Sequence, residues 1–229
     1  MNKNDGKDTK MEKYGEIPPR FTKKWWEHFW EYYRWHVIIT ALAILIAVVT
    51  IVQCAHRTQY DLVMVYAGHK NLPQLTENQL YELALEHTDD VDENGEVVVD
   101  LKSLVFTDMD TNEDYDFAIQ TKLDLSFLDD YTYIYLMDET QARVYTGRKD
   151  TTDAFEKVSV FAEGTDKEIL YTTDENISFA VSLKDSALLK EKGINADNLY
   201  LMVRRENHSS EKNTKSHESA VKFAKELIK

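Results

Sequence analysis

The clearest pattern in the sequence is an uninterrupted apolar run, Val37–Val52, which contains no charged side chain. Its side-chain hydroxyls are limited to those of Thr40 and Thr50. Extended to Ala55, the run has 19 residues. At about 1.5 Å per helical residue this is roughly 28 Å, close to the hydrocarbon thickness of a bilayer. We therefore predict a single transmembrane helix. The alternative, a buried helix of a soluble domain, would have to explain a run without a polar face that is flanked by an aromatic belt.

Upstream of this run, polar and aromatic residues recur with a period of about 3.6, which predicts an amphipathic helix. We expect one helix from Thr22, its N-cap, to His56, or two helices joined near His36. Trp and Tyr favour the boundary between membrane and water. The predicted membrane anchors are Trp25, Trp26, Trp30 and Trp35. Recognition of a partner protein through this aromatic face is the alternative.

The basic residues predict the orientation of the helix. Residues 1–36 contain eight Lys or Arg, whereas the first stretch beyond the span offers only Arg57 and Lys70. Basic flanks stay in the cytoplasm. We therefore expect a single-pass protein of the cell membrane, with a disordered cytoplasmic tail (1–21), the membrane helix (22–56) and an extracellular domain (57–229).

Beyond the span, runs rich in β-branched and aromatic residues alternate with helical patterns. The predicted strands cover 60–66, 96–106, 131–137, 168–171, 177–183 and 199–204. The first predicted helix starts at a capping box formed by Thr76 and Gln79 and ends near His87. Three further helices are predicted at 112–125, 139–145 and 186–192. A polar loop, 206–215, then leads to a last helix, for which Ser216 is the predicted N-cap. This order predicts an α/β domain with a largely parallel or mixed sheet and helices on both faces.

Charge excludes one class of partner. Residues 37–229 carry 19 Lys or Arg against 35 Asp or Glu. Such an acidic surface repels nucleic acid, so we expect no DNA or RNA binding. Cys54 is the single cysteine, which excludes an internal disulfide and any CxxC metal site.

One loop resembles a calcium-binding loop. Asp90, Asp92 and Asn94 provide oxygen ligands at alternate positions, and Gly95 permits the sharp turn that follows. The twelfth position, where a bidentate Glu is expected, is Leu101. Calcium is therefore the one cofactor that the sequence suggests. A tight Asn94-Gly95 turn without metal is the competing interpretation.

The predicted sheet also suggests a ligand site. In open α/β sheets, ligands lie beyond the carboxyl ends of the strands. This geometry selects Tyr66 and His69 after the first strand, and Asp138 and Gln141 after the third. The alternative is that these polar residues only cap loops. The sequence contains no HExxH, GxSxG, phosphate-loop or GxGxxG motif, so we expect no enzyme.

Two stretches carry a resemblance to known proteins. The run from Trp26 to His36 reads WEHFWEYYRWH, and Tyr60-Asp61 leads to Tyr66-Ala67-Gly68 after the span. Both resemble a group of uncharacterised bacterial single-pass membrane proteins. The strand from Tyr131 to Asp138, after an acidic turn, is weakly similar to a strand of one class of extracellular solute-binding proteins. This resemblance implies a domain that binds a small solute.

Together these patterns favour a membrane-anchored extracellular binding module, possibly similar to solute-binding proteins, that catalyses no reaction. Its expected partners are the lipid bilayer, a small solute and a membrane or envelope protein. The alternative is a structural or regulatory protein of the cell envelope that acts through protein–protein contacts.

Overall fold

A computed structural model describes residues 21–55, 60–107, 112–151, 153–171, 177–206 and 210–229. The chain divides into two units, Met1–Thr58 and Gln59–Lys229. The predicted disordered tail lies outside the described residues, apart from Phe21.

The first unit contains one long helix, α1 (Lys23–Ala55). Its N-cap is Thr22 as predicted, since Oγ1 of Thr22 accepts a hydrogen bond from the backbone N–H of Trp25 at 3.3 Å. The segment Phe29–Val52 has a mean hydropathy of 2.6, and none of it is buried inside the structure. By length and composition, α1 is therefore compatible with a single membrane-spanning or signal-anchor segment.

The second unit is an α/β domain with one sheet of six strands. The strands are β1 (Leu62–Gly68), β2 (Val99–Val105), β3 (Thr132–Asp138), β4 (Ile169–Tyr171), β5 (Ser178–Ser182) and β6 (Leu199–Val203). The α-helices are α2 (Gln74–His87), α3 (Glu113–Ser126), α4 (Glu139–Gly147), α5 (Val158–Phe161), α6 (Ala187–Glu191) and α7 (Glu211–Ile228). A 3₁₀ turn, Lys149–Thr151, follows α4.

The sheet is mixed, with the strand order β2-β1-β3-β6-β5-β4. β1 pairs in parallel with both β2 and β3. From β3 onward each neighbouring pair is antiparallel. The prediction of an α/β domain with a mixed sheet is therefore confirmed. The antiparallel β6 places its first residue, Leu199, opposite Asp138 at the end of β3.

Hydrophobic clusters cover both faces of the sheet, because side chains of a strand alternate between its faces. Leu62 and Met64 of β1 pack in a cluster with side chains of α2 and α7. Val65 and Ala67 of the same strand pack in a second cluster with side chains of α3 and α4. Helices therefore lie on both faces, as the sequence predicted.

Two predicted helix starts were wrong. α2 begins at Gln74 with Pro73 as its N-cap, so Thr76 lies inside the first turn and forms no capping box. The carbonyl oxygen of Pro73 accepts the N–H of Glu77 at 3.0 Å, and the helix needs no N–H from the residue at this position. α7 begins at Glu211, and its N-cap is Ser210, which accepts from the N–H of Asn213 at 3.2 Å. Ser216 is buried in the middle of that helix.

Candidate functional site

A cleft of about 740 Å³ opens where the ends of β1 and β3 meet the start of α2 and the loop before β6. Its polar lining residues are Tyr66, His69, Lys70, Asn71, Thr76, Asp138, Thr140, Asn195, Asp197 and Asn198. Its apolar lining residues are Leu72, Pro73, Leu80, Ile194 and Leu199. The volume lies in the range that holds small-molecule ligands.

The topology of the sheet explains which segments meet here. β1 and β3 are parallel, so their carboxyl ends lie at one edge of the sheet. β6 is antiparallel to β3, so its amino end reaches the same edge and brings the loop 194–198 with it. The cleft therefore combines two segments that follow strands with one that precedes a strand.

His69 and Asp138 form the best-defined contact of the cleft. Oδ2 of Asp138 accepts the backbone N–H of His69 at 2.7 Å and lies 2.9 Å from Nδ1 of the same residue. The ring of His69 also packs against Phe106, with 5.8 Å between ring centroids. Both the backbone and the imidazole of His69 are therefore held in place.

Gly68 and Tyr66 complete the corner next to this pair. The hydroxyl of Tyr66 donates to the carbonyl oxygen of Lys70 at 2.7 Å. Burial, and after it the negative charge of Asp138, raise the pKa of Tyr66 to about 12. A Cβ at Gly68 would lie 2.6 Å from the Tyr66 hydroxyl and 3.1 Å from Oδ2 of Asp138. The close approach of these groups therefore requires glycine.

Three of the four predicted ligand residues share the cleft, namely Tyr66, His69 and Asp138. Gln141 is not among the lining residues. It lies in the first turn of α4, where its backbone N–H donates to Oδ1 of Asp138 at 2.9 Å. Its side chain is buried, and no described residue forms a hydrogen bond with its Oε1. Gln141 therefore contacts Asp138 through the backbone of α4, and its role as a ligand residue stays a prediction.

The predicted calcium loop is folded around its own carboxylates. Asp90 accepts the N–H groups of Asn94 at 3.2 Å and Gly95 at 2.7 Å. Asn94 accepts the N–H of Glu96 at 2.8 Å. Gly95 has a positive φ of 90°. The tight turn that the competing interpretation required is therefore present.

The carboxylate of Asp61, the residue before β1, lies next to this loop. One oxygen atom from each of Asp61, Asp90 and Asp92 lies within 4.8 Å of the others. The carboxylate of Asp61 is buried and accepts the N–H groups of Val91 at 2.9 Å and Val98 at 2.8 Å. Calcium binding at these oxygen atoms stays a prediction.

Lys212 of α7 already neutralises part of this charge. Its Nζ lies 3.2 Å from Oδ2 of Asp92. Partial burial opposes ionisation of Asp92, but the hydrogen bond and charge of Lys212 outweigh it and lower the pKa of that carboxyl. A cation entering the loop would therefore compete with an ion pair that is already formed.

The aromatic residues of α1 form two sets on the helix. Phe21, Trp25, Phe29 and Tyr33 stack at four-residue intervals, with centroid distances of 5.7, 5.4 and 5.2 Å. The predicted anchors Trp26, Trp30 and Trp35 are exposed, and Trp25 is half-buried within the stack. The exposed set presents indole rings of the kind found at membrane interfaces.

The sequence reasoning missed the loop residues Asn195, Asp197 and Asn198. Their polar run was visible, but its position depends on the antiparallel direction of β6. Lys70, Asn71 and Thr76 were closer to the predicted strand end and were also missed.

Comparisons with known proteins found no relative of this chain. No family model matches the chain, and neither the curated proteins nor the solved structures searched contain a match.

Proposed function

We propose that this chain is a membrane-anchored binding module whose α/β domain lies outside the cell and captures a small solute without catalysing a reaction. The observation that carries the proposal is the cleft at the carboxyl ends of β1 and β3. Open α/β sheets bind their ligands at this edge. The mixture of apolar walls and convergent polar groups is typical of ligand sites.

The membrane part of the proposal is supported by α1 and its flanks. The side chains from Ile38 to Val52 are exposed, which is costly in water and favourable among lipid tails. The eight basic residues among positions 1–36 favour a cytoplasmic N-terminus. A tethered domain stays near the membrane, which raises its effective concentration for a transporter or envelope partner.

The test is a ligand screen on the full chain in detergent micelles, read by thermal unfolding. We expect one class of small solute to raise the melting temperature. Thr140 is exposed at the cleft, and Thr140→Trp would fill it. The matched control is Thr121→Trp, which replaces an exposed threonine on α3 outside the cleft. The proposed stabilisation is lost in the first variant and kept in the second.

The small-solute proposal fails if sugars, amino acids, peptides, nucleosides and small anions all leave the melting temperature of the full chain unchanged. It also fails if a solute stabilises the Thr140→Trp variant as much as the original protein, because the solute would then bind elsewhere.

A second function is favoured by the exposed face of α3. Phe117, Leu125 and Leu128 are 75%, 58% and 77% exposed. Phe117 and Leu125 lie two helical turns apart on α3, and Leu128 lies in the turn that follows the helix, so the helix and this turn expose a stripe of large apolar side chains. Such a stripe is a feature of protein interfaces. In this alternative the chain is a structural or regulatory envelope protein that acts through protein contacts.

Site-specific crosslinking separates the two functions. A photoreactive residue in place of Leu125 would crosslink one membrane or envelope protein under the second function. A photoreactive residue in place of the exposed Lys122, on the same helix, is the control. Crosslinking from Trp26 or Trp30 of α1 to a second membrane protein would also favour it.

A further inference from the structure

Among the described residues that line the cleft is a histidine, His69, whose orientation is fixed by two hydrogen bonds to the carboxylate of Asp138, which accepts a third from Gln141. Asp138 accepts from the backbone N–H of His69, from its Nδ1 and from the backbone N–H of Gln141. Only 11% of the Asp138 side chain is exposed. Three of the roughly four acceptor positions of this carboxylate are therefore used by the protein, and little of the side chain is open to a ligand.

These bonds define the tautomer of His69. A carboxylate only accepts hydrogen bonds, so Nδ1 carries the hydrogen atom that it donates to Asp138. In the neutral ring Nε2 then has a lone pair and accepts. No described residue forms a hydrogen bond with Nε2. The side chain lines the cleft and is 19% exposed, so solvent and ligands reach it.

The other polar groups of the cleft do not favour a charged ligand. The cleft contains one lysine, Lys70, and one further carboxylate, Asp197, both exposed to solvent. Asn71, Asn195 and Asn198 provide amides that both donate and accept. An anion would meet the negative charge of Asp138 and Asp197. A cation would meet the positive charge of Lys70, and Asp138 already accepts hydrogen bonds from His69 and Gln141.

We propose that the cleft binds an uncharged molecule whose hydroxyl or amide N–H group donates a hydrogen bond to Nε2 of His69. This inference rests on the proposed binding function and names its ligand class. The amides of the rim satisfy the remaining hydroxyl or amide groups of the ligand, and the apolar side chains Leu72, Leu80 and Ile194 cover its carbon atoms. A neutral oligosaccharide or a short peptide segment has this chemistry and size.

Two substitutions of His69 separate its roles. In His69→Asn, the shorter amide replaces Nδ1 and its contact with Asp138, but nothing replaces Nε2. In His69→Gln, the amide reaches the position of Nε2 and restores an acceptor in the cleft. The control is His87→Asn at the end of α2, because His87 is half-buried and does not line the cleft.

The experiment uses the full chain in detergent micelles at pH 8. The uncharged probes are neutral disaccharides and capped dipeptides, and the charged probes are citrate and inorganic phosphate. We expect an uncharged probe to bind, and the Nε2 resonance of ¹⁵N-labelled His69 to shift as it accepts a hydrogen bond. His69→Asn weakens binding about tenfold, His69→Gln by less than about threefold, and His87→Asn leaves it unchanged.

Three outcomes overturn the inference. Binding of citrate or phosphate without binding of the uncharged probes contradicts the ligand class and leaves the proposed binding function intact. Binding of an uncharged probe with equal affinity to His69→Asn and to the original protein removes the role of His69 alone. If no probe of either kind binds, the inference fails, whereas the small-solute function fails only if the wider ligand screen is also negative.

Discussion

His69 and Asp138 are 69 residues apart in the sequence, yet Nδ1 of His69 lies 2.9 Å from Oδ2 of Asp138. The other oxygen atom of the same carboxylate caps α4 by accepting the N–H of Gln141. One side chain therefore orients the imidazole of the cleft and starts the helix that follows β3. We therefore expect both the stability of the domain and the proposed binding to depend on Asp138.

The first prediction concerns that coupling. Asp138→Ala removes the cap of α4 and the acceptor for His69, and we expect a loss of about 1 to 2 kcal/mol in the free energy of unfolding. Ligand affinity falls as well, because the imidazole is no longer held. Urea unfolding and binding titration measure the two effects. Asp197→Ala, which also changes a cleft carboxylate but caps no helix, should leave stability nearly unchanged.

The second prediction concerns Gly68. Gly68→Ala places a Cβ 2.6 Å from the Tyr66 hydroxyl and 2.9 Å from its Cζ, so the ring must move. We expect a loss of about 1 to 3 kcal/mol in the free energy of unfolding. Gly147→Ala is the matched control, since nothing lies within 4 Å of its Cβ position at the end of α4. A stability of Gly68→Ala equal to that of the control would contradict the close packing described here.

The third prediction concerns the buried carboxylate of Asp61. Asp61→Ala leaves the N–H groups of Val91 and Val98 without their acceptor. Hydrogen bonds to a charged group contribute about 1.5 to 3 kcal/mol each, so for these two bonds we expect a loss of roughly 3 to 6 kcal/mol in the free energy of unfolding. Asp90→Ala, which affects only exposed turn contacts, should cost less. Equal losses would show that Asp61 does not hold the loop.

The fourth prediction is a pH dependence from His217 of α7. Burial is the main cause that lowers its pKa, Arg204 acts in the same direction, and Glu156, Glu206 and Glu218 oppose them. Nε2 of His217 lies 3.3 Å from Oε1 of Glu156, without the alignment of a hydrogen bond. The unfolded chain therefore binds the proton more readily than the folded protein.

The sign of this effect follows from proton linkage. The contribution of His217 to stability is fully present above its unfolded pKa of about 6.5 and is lost as the pH falls through that value toward the lower folded pKa. We expect the free energy of unfolding to decrease from pH 7.5 to pH 5, with a smaller slope in His217→Gln. An identical slope in both proteins would contradict the burial argument.

Much of the domain could be predicted because its central strands are apolar throughout. β1 and β3 are buried over all seven residues each, since both lie between neighbouring strands and between two layers of helices. Such strands read as continuous hydrophobic runs. The ends of these strands then identified Tyr66, His69 and Asp138.

The loop before β6 and the start of α7 could not be predicted, because both depend on the tertiary arrangement of the domain. The direction of β6 is a property of the whole sheet, so the contribution of Asn195 and Asn198 to the cleft was not visible. The start of α7 was missed because its first turns bury Asn213 and Ser216 rather than apolar residues. A hydrophobic period therefore began only near Ala220, and Ser216 was mistaken for the cap.

The most direct test of the central claim, a binding domain held outside the cell by α1, labels a single cysteine that is placed at the cleft. Cys54 is replaced by Ser, and Asn195, exposed at the cleft, is replaced by Cys. The full chain is expressed in cells and treated with a membrane-impermeant maleimide before and after permeabilisation. We predict that Asn195→Cys is labelled in cells that have not been permeabilised. Labelling that requires permeabilisation would contradict this claim.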